Sequence, residues 1–158
     1  SIPETVETIG NMAFYSCKKL YSVAIGTGVK VIEAKAFSGC VELTSVNIRN
    51  TEQLGDMAFY GCSKLEWFDC GTALKHIGTR ALWNAKKLNY LKLSPTLETI
   101  GDYAFATTTE KTANSLTALT FGDELEVVGN YAFYDCSSLE SIYIDKDKDF
   151  IYLCTYPA

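Results

Sequence analysis

The chain has one histidine, no excess of basic residues and no long apolar run. Each of these absences removes a class of function. Lys and Arg number 14 against 19 Asp and Glu, a formal net charge of -5. Nucleic-acid binding needs a basic patch to displace counterions from phosphate, and this balance argues against it. The apolar runs are only a few residues long, far short of the ~20 that cross a bilayer as a helix. The opening Ser1-Ile2-Pro3-Glu4 has neither the basic nor the apolar region of a signal peptide. It also lacks an initiator Met, so the chain reads as a trimmed piece of something longer. No phosphate-binding glycine loop or dinucleotide motif occurs.

Repetition dominates what is present. The text Ile9-Gly10-Asn11-Met12-Ala13-Phe14-Tyr15-Ser16-Cys17-Lys18-Lys19-Leu20-Tyr21-Ser22-Val23-Ala24-Ile25 returns along the chain as I-G-x-x-A-F-x-x-C-x-x-L-x-x-V-x-I. The first apolar position reads Ile9, Ile32, Leu54, Ile77, Ile100 and Val128. The Ala position is constant at 13, 36, 58, 81, 104 and 132. After it stand Phe14, Phe37, Phe59, Leu82, Phe105 and Phe133, and six residues past the first four of these stand Leu20, Leu43, Leu65 and Leu88. The same Leu position continues as Leu116 and Leu139. The period is 22–23 residues, with five extra residues after Phe105. The repeats run at about 6–28, 29–50, 51–73, 74–96, 97–124 and 125–144, with a cap or tail at 145–158.

A unit this small cannot bury its own apolar face and must stack on a neighbour. The alternating end of each copy, as in Val23 and Ile25 or Val46 and Ile48, predicts one short strand per repeat in a single parallel sheet. The spacing of three and four in A-F-x-x-C-x-x-L predicts a short helical turn behind it. The expected fold is therefore an α/β repeat solenoid, right-handed and curved, with a short helical turn or a second small strand backing each coil. A parallel β-helix is the rival, disfavoured by that helical spacing. Gly at 10, 55, 78, 101 and 129 suggests an unusual backbone angle, a reading that Glu33 in the same column weakens.

The register also accounts for the cysteines. Cys17, Cys40, Cys62 and Cys136 share one inward position, filled by Ala85 in the fourth copy, and Cys70 ends a strand. These are expected to be free thiols acting as small hydrophobes, because parallel Cβ vectors in stacked coils disfavour a disulfide. Cys154 lies outside the repeat and stays open. None of the cysteines has a base in register that would make it a nucleophile. His76 shares its column with Thr8, Gln53 and Thr99 and reads as exposed filler. Asp145, Asp147 and Asp149 are spaced like the start of a calcium loop, but Phe150 and Tyr156 stand where that loop needs Gly and Glu, which leaves a solvated charge run.

Ile2 precedes Ile9 by the same seven residues that separate Ile25 from Ile32. The chain thus opens at the end of a preceding strand, and a longer parent array or upstream domain is expected. The polar insertion within 106–115 reads as a surface loop, and the segment after Ile144 as a cap or tail.

The repeated motif resembles the BspA-like leucine-rich repeat family, the Treponema pallidum type. The resemblance covers residues 2 to 144, and the ending Tyr152-Leu153-Cys154-Thr155-Tyr156-Pro157 is similar to segments that close such arrays. It implies a secreted or cell-surface bacterial protein, in some members an adhesin that binds host matrix or plasma proteins or other bacteria. It implies no catalytic residues and no cofactor. Glu33 for Gly, Leu82 for Phe, Ala85 for Cys and the insertion depart from the pattern.

A ligand is expected on the outward, concave face of the strands. Residues flanking the inward Val and Ile point away from the core: Ser45, Asn47 and Arg49, then Trp67, Asp69 and Gly71, then Tyr90, Lys92 and Ser94, and later Ser141 and Tyr143. Trp67 and Tyr90 should lie side by side with Asn47, Arg49, Asp69 and Lys92 around them. Exposed aromatics ringed by polar groups suit a protein hot spot or stacking on a glycan. A structural spacer with no ligand is the third reading. A second aromatic row, Tyr15, Tyr60, Trp83 and Tyr134, is assigned to covering core edges.

Overall fold

The computed structural model describes residues 1–108 and 114–144. The expected cap at 145–158, the Asp145–Asp149 run and Cys154 lie outside the described residues.

The Ile column forms the longest sheet. β1 (Thr8–Ile9), β2 (Val31–Ile32), β4 (Gln53–Leu54), β6 (His76–Ile77), β8 (Thr99–Ile100) and β10 (Val127–Val128) pair in that order, all parallel. Each is two residues long, with its second residue the more buried. A second line of strands forms from the alternating ends of the copies. β3 (Ser45–Asn47), β5 (Trp67–Asp69) and β7 (Tyr90–Lys92) make one parallel sheet, and β9 (Ala118–Phe121) pairs with β11 (Ser141–Ile144) in another. A bridge from Ser22 to Ser45 carries the line back to the first coil. The single sheet expected from sequence is therefore three, because the T-I dipeptide also pairs from coil to coil. The break between β7 and β9 falls where the coil with the five-residue insertion stacks on its predecessor.

The expected helical turn is absent: no helix occurs among the described residues. The A-F-x-x-C segment instead runs as tandem β-turns. Its N–H groups alternate between two destinations. Ser38 N–H donates to Lys35 O and Cys40 N–H to Phe37 O, each three residues back. Phe37 and Gly39 donate to Ala58 O and Tyr60 O of the next coil, both at 2.8 Å. A helix would send every N–H four residues back. The alternation needs left-handed residues, which a helix excludes. Met12, Lys35, Met57, Arg80, Tyr103 and Tyr131 take φ of 56–57° at one position. Four residues later stand Ser16, Gly39, Gly61, Asn84 and Asp135, also at positive φ. Gly, Asn and Asp adopt that region most readily. The segment is thus a third line of inter-coil bonding, and the coil is a β-solenoid turn rather than a strand backed by helix.

The Phe column lies inside in single file. Phe14 stacks on Phe37 and Phe37 on Phe59, both with ring centroids 5.0 Å apart, and Phe105 stacks on Phe133 at 5.1 Å. Leu82 is fully buried in the same column. Leu43, Leu65, Leu88 and Leu116 form a second buried file. Burying one such side chain contributes about 1.5–3 kcal/mol, so the stack of coils, and no single coil, carries the stability. In the first turn segment Ala13 and Cys17 are exposed, whereas Ala36, Cys40, Ala58 and Cys62 are buried between coils.

The glycines after Ile serve close approach. Gly55, Gly78, Gly101 and Gly129 have no positive φ. A Cβ on Gly78 would lie 2.6 Å from Asp56 N and from Gly55 C of the preceding coil. Glu33 holds this column with its own solution: its Oε2 accepts the Asn11 N–H at 2.7 Å.

Candidate binding face

β3, β5 and β7 set two outward columns by their register. Ser45 pairs with Trp67 and Trp67 with Tyr90; Asn47 pairs with Asp69 and Asp69 with Lys92. Alternation turns Val46 and Phe68 fully inward and Leu91 partly so. Trp67 and Tyr90 stack with centroids 5.6 Å apart and planes within 9°. Each ring thus spends one face on its partner and keeps one outer face, toward Ser45 for Trp67. Tyr90 is 45% exposed.

Asp69 organises the polar half. It is only 8% exposed. Its Oδ1 accepts the Gly71 N–H at 2.8 Å, and its Oδ2 accepts from Asn47 Nδ2 at 3.4 Å. Lys92 Nζ sits 3.7 Å from Oδ2. An attractive partner and two donors hold the carboxylate in place, and the ammonium end of Lys92 stays half-exposed. Arg49 is exposed and has no ion-pair partner among the described residues.

The third outward column expected from sequence is not a face. Gly71 and Ser94 are buried, because the chain turns inward past the last strand residue. Arg49 lies just past β3 at φ 51°, its N–H donating to Asn47 Oδ1 at 2.7 Å. It still borders the face, as an exposed turn residue. Tyr143 is exposed but sits two coils beyond Lys92 in the Asn47 column, in the β9–β11 sheet, paired with Thr120. The structure therefore gathers Asn47, Arg49, Trp67, Asp69, Tyr90 and Lys92 and leaves Tyr143 apart.

His76 is more than filler. Its Nδ1 lies 3.0 Å from Thr99 Oγ1 and its Nε2 3.7 Å from Glu98 Oε2 in the next coil. Four of the five described thiols are buried and unactivated. Burial pushes Cys40 up to about 11, with nearby Cys17 adding to it. Burial likewise raises Cys136 to about 11, partly offset by the Asn114 side chain that donates to its sulfur. Cys62 and Cys70 are driven higher by burial. All four stay protonated at neutral pH, and a protonated thiol is a poor nucleophile. Among the described residues no group of three or more His, Cys, Asp or Glu could hold a metal ion.

The outer aromatic row is larger than its sequence column. Tyr60 meets Trp83 at 6.1 Å, and Trp83 stacks diagonally on Tyr103 at 5.3 Å across the small Ala106. Tyr103 stacks on Tyr131 at 5.0 Å, and Tyr131 meets Tyr134 edge-on at 6.0 Å. Tyr103, Tyr131 and Arg80 come from the left-handed position before Ala. A column-by-column reading separates them from Trp83 by three residues, and only the turn geometry brings them together.

This arrangement of stacked coils with aligned aliphatic and Phe files defines a leucine-rich-type repeat solenoid, a class that generally mediates protein interaction and is typically non-catalytic. The chain belongs to the BspA type leucine-rich repeat family, which matches in 6 copies over residues 1–112 and 111–156. It is similar in structure to a leucine-rich cell surface protein from Faecalibacterium prausnitzii A2-165, with 27% identity and a TM-score of 0.72 over 92% of this chain. It is also similar to the leucine-rich repeat protein of T. pallidum, with 28% identity and a TM-score of 0.69 over 77% of this chain. It spans 38% and 57% of those two chains. None of the curated proteins compared with it matches. Among the described residues no helix is long and apolar enough to cross a membrane.

Proposed function

We propose that the chain is a non-catalytic, adhesin-like binding module of a bacterial cell-surface or secreted protein, which presents the outward face of β3, β5 and β7 to a protein partner. The observation that carries this reading is the Trp67–Tyr90 stack set beside a buried, fully engaged Asp69. Rigid aromatics beside organised polar groups are what interface hot spots are made of. With Asp69 neutralising one cation, Arg49 and Lys92 leave the face one positive charge in excess. That suits a partner with an apolar anchor next to a carboxylate. Cell-surface placement rests on the F. prausnitzii relative described in those words.

The glycan reading uses the same rings and is weaker, since mutual stacking leaves each ring only one face for a sugar. The test is retention of the chain on a panel of immobilised matrix and plasma proteins. Binding that falls at least about tenfold in Trp67→Ala and Tyr90→Ala supports the face. Binding unchanged in both removes it. Hits on a glycan array with no protein hits would favour the glycan reading. Silence in both assays would favour a spacer.

A further inference from the structure

A second cluster of aromatic and polar side chains lies on the turn segments. Arg80 projects from the left-handed position of its turn, with its guanidinium carbon 4.6 Å from the Trp83 ring centroid and 5.5 Å from that of Tyr103. The two rings themselves stack at 5.3 Å. The guanidinium thus rests on an aromatic wall through cation–π contact. The chain has two arginines. Arg80 has no carboxylate partner among the described residues, whereas Lys30, Lys64, Lys75 and Lys92 each have one.

The hydrogen bonding of the cluster is incomplete. Among the described residues only three buried side-chain polar atoms lack a partner, and two of them are Arg80 Nε and Trp83 Nε1. Both are donors, and they belong to residues in direct contact. A buried donor left unmet is costly, so two at one place favour any arrangement that supplies an acceptor. A carboxylate fits best. It takes Nε–H and Nη–H of a guanidinium side by side, in the bidentate geometry that lysine cannot offer. The Arg80 side chain must turn outward for this, and relief of its unmet Nε–H favours that turn. Tyr60 lies against Trp83, partly exposed, and offers apolar contact beside the carboxylate.

We infer that the ridge of Tyr60, Arg80, Trp83 and Tyr103 is a second binding site, separate from the β3–β5–β7 face, and that it takes an acidic protein segment in which Asp or Glu neighbours an aromatic residue. Arg80 receives the carboxylate, and the rings pack the neighbouring side chain.

The test uses the full chain with Trp67→Phe, so that Trp83 is the only indole. The probe is a random copolymer of glutamate and tyrosine, compared with polyglutamate and with a copolymer of lysine and tyrosine. The glutamate–tyrosine copolymer should bind and shift Trp83 emission, more strongly than polyglutamate. Arg80→Gln should weaken it about tenfold or more. Arg80→Lys should give an intermediate loss. Arg80→Glu should reverse the preference toward the lysine copolymer. Arg49→Ala should leave the Trp83 response intact, which separates this site from the β3–β5–β7 face. Thermal unfolding confirms that each variant is folded, and if Arg80→Gln is not, the Lys and Glu variants decide. Absence of binding, or an Arg80→Glu variant with the parent's preference, overturns the site. So does loss of the response through Arg49→Ala alone.

Discussion

Asp56 reaches across a coil boundary to accept the backbone N–H of Thr79 at 2.8 Å. Asp102 repeats the contact with Asn130 at 2.7 Å. In both cases the accepting carboxylate leans over a glycine, Gly78 or Gly129, whose missing Cβ leaves the space: a Cβ there would lie 2.7 Å from the carboxylate oxygen. Backbone and cap interlock at each such step. The carboxylate satisfies an N–H that the two-residue strands leave outside their ladder.

Gly78→Ala is therefore expected to cost about 1–3 kcal/mol through overpacking against backbone that cannot move aside. Urea unfolding should show a lower midpoint with an unchanged slope. Gly61 is the control of opposite kind: nothing lies near its missing Cβ, but its φ is +70°. There Ala should cost about 1–2 kcal/mol from the left-handed backbone, and Asn should recover most of the loss. A Gly78→Ala midpoint equal to the parent's would remove close approach as the reason for this column.

The aligned files were legible in the sequence because stacking at a fixed period places identical letters side by side. Phe14, Phe37 and Phe59 sit where their spacing put them, as do Trp67 and Tyr90. The helical turn was misread for a physical reason. Apolar spacing of three and four follows equally from a helix and from tandem β-turns, because both return a side chain to one face every three or four residues. The discriminating signal was Gly39, Gly61, Asn84 and Asp135 in one column, a set that tolerates the left-handed region. Hydrophobic periodicity carries no information about φ. Arg80 and Tyr103 were missed for the same reason, since their contact exists only in the turn geometry.

Thiol chemistry should follow position in the stack. Of the described cysteines only Cys17, in the first coil, is exposed. In a Cys154→Ser chain, a disulfide reagent should modify one thiol rapidly in the native state and five after denaturation. Several fast thiols would mean that the inner coils open readily.

The same burial gives stability a pH dependence. Cys40 and Cys136 ionise at about 11 when folded against an ordinary 9.0, chiefly because burial disfavours the thiolate. Above the ordinary value the unfolded chain has lost these protons and the folded chain still holds them. Stability from these groups is thus complete below pH 9 and falls as pH rises toward 11. Urea midpoints should decline over that window, and less steeply in Cys40→Ala with Cys136→Ala. Equal slopes for parent and double variant would show that these thiols do not contribute.

Asp69 offers a test that separates framework from contact. Its carboxylate engages Gly71 N–H, Asn47 and Lys92 together. Asp69→Ala strands a buried N–H and should cost about 1–3 kcal/mol. Asp69→Asn keeps an acceptor for Gly71 and should cost less, while releasing Lys92 and adding positive charge to the face. Chemical unfolding measures the first effect. The second should appear as a steeper salt dependence of binding to any acidic partner. If Ala and Asn destabilise equally, the Gly71 contact is not what holds the turn.

The Trp67–Tyr90 stack makes a quantitative claim about preorganisation. Rings packed in parallel at 5.6 Å should couple by about 0.5–1.5 kcal/mol beyond the area each buries. A double-mutant cycle on unfolding, using Trp67→Ala, Tyr90→Ala and the pair, isolates that energy. Coupling in this range means that the rings are already fixed before a partner arrives, so little side-chain entropy is left to lose on binding. The same cycle run on affinity should then show the two rings acting as one unit, with the double variant scarcely weaker than either single one. Additive losses in affinity, together with zero coupling in stability, would describe two independent mobile side chains and would take away the physical basis for a preformed contact face.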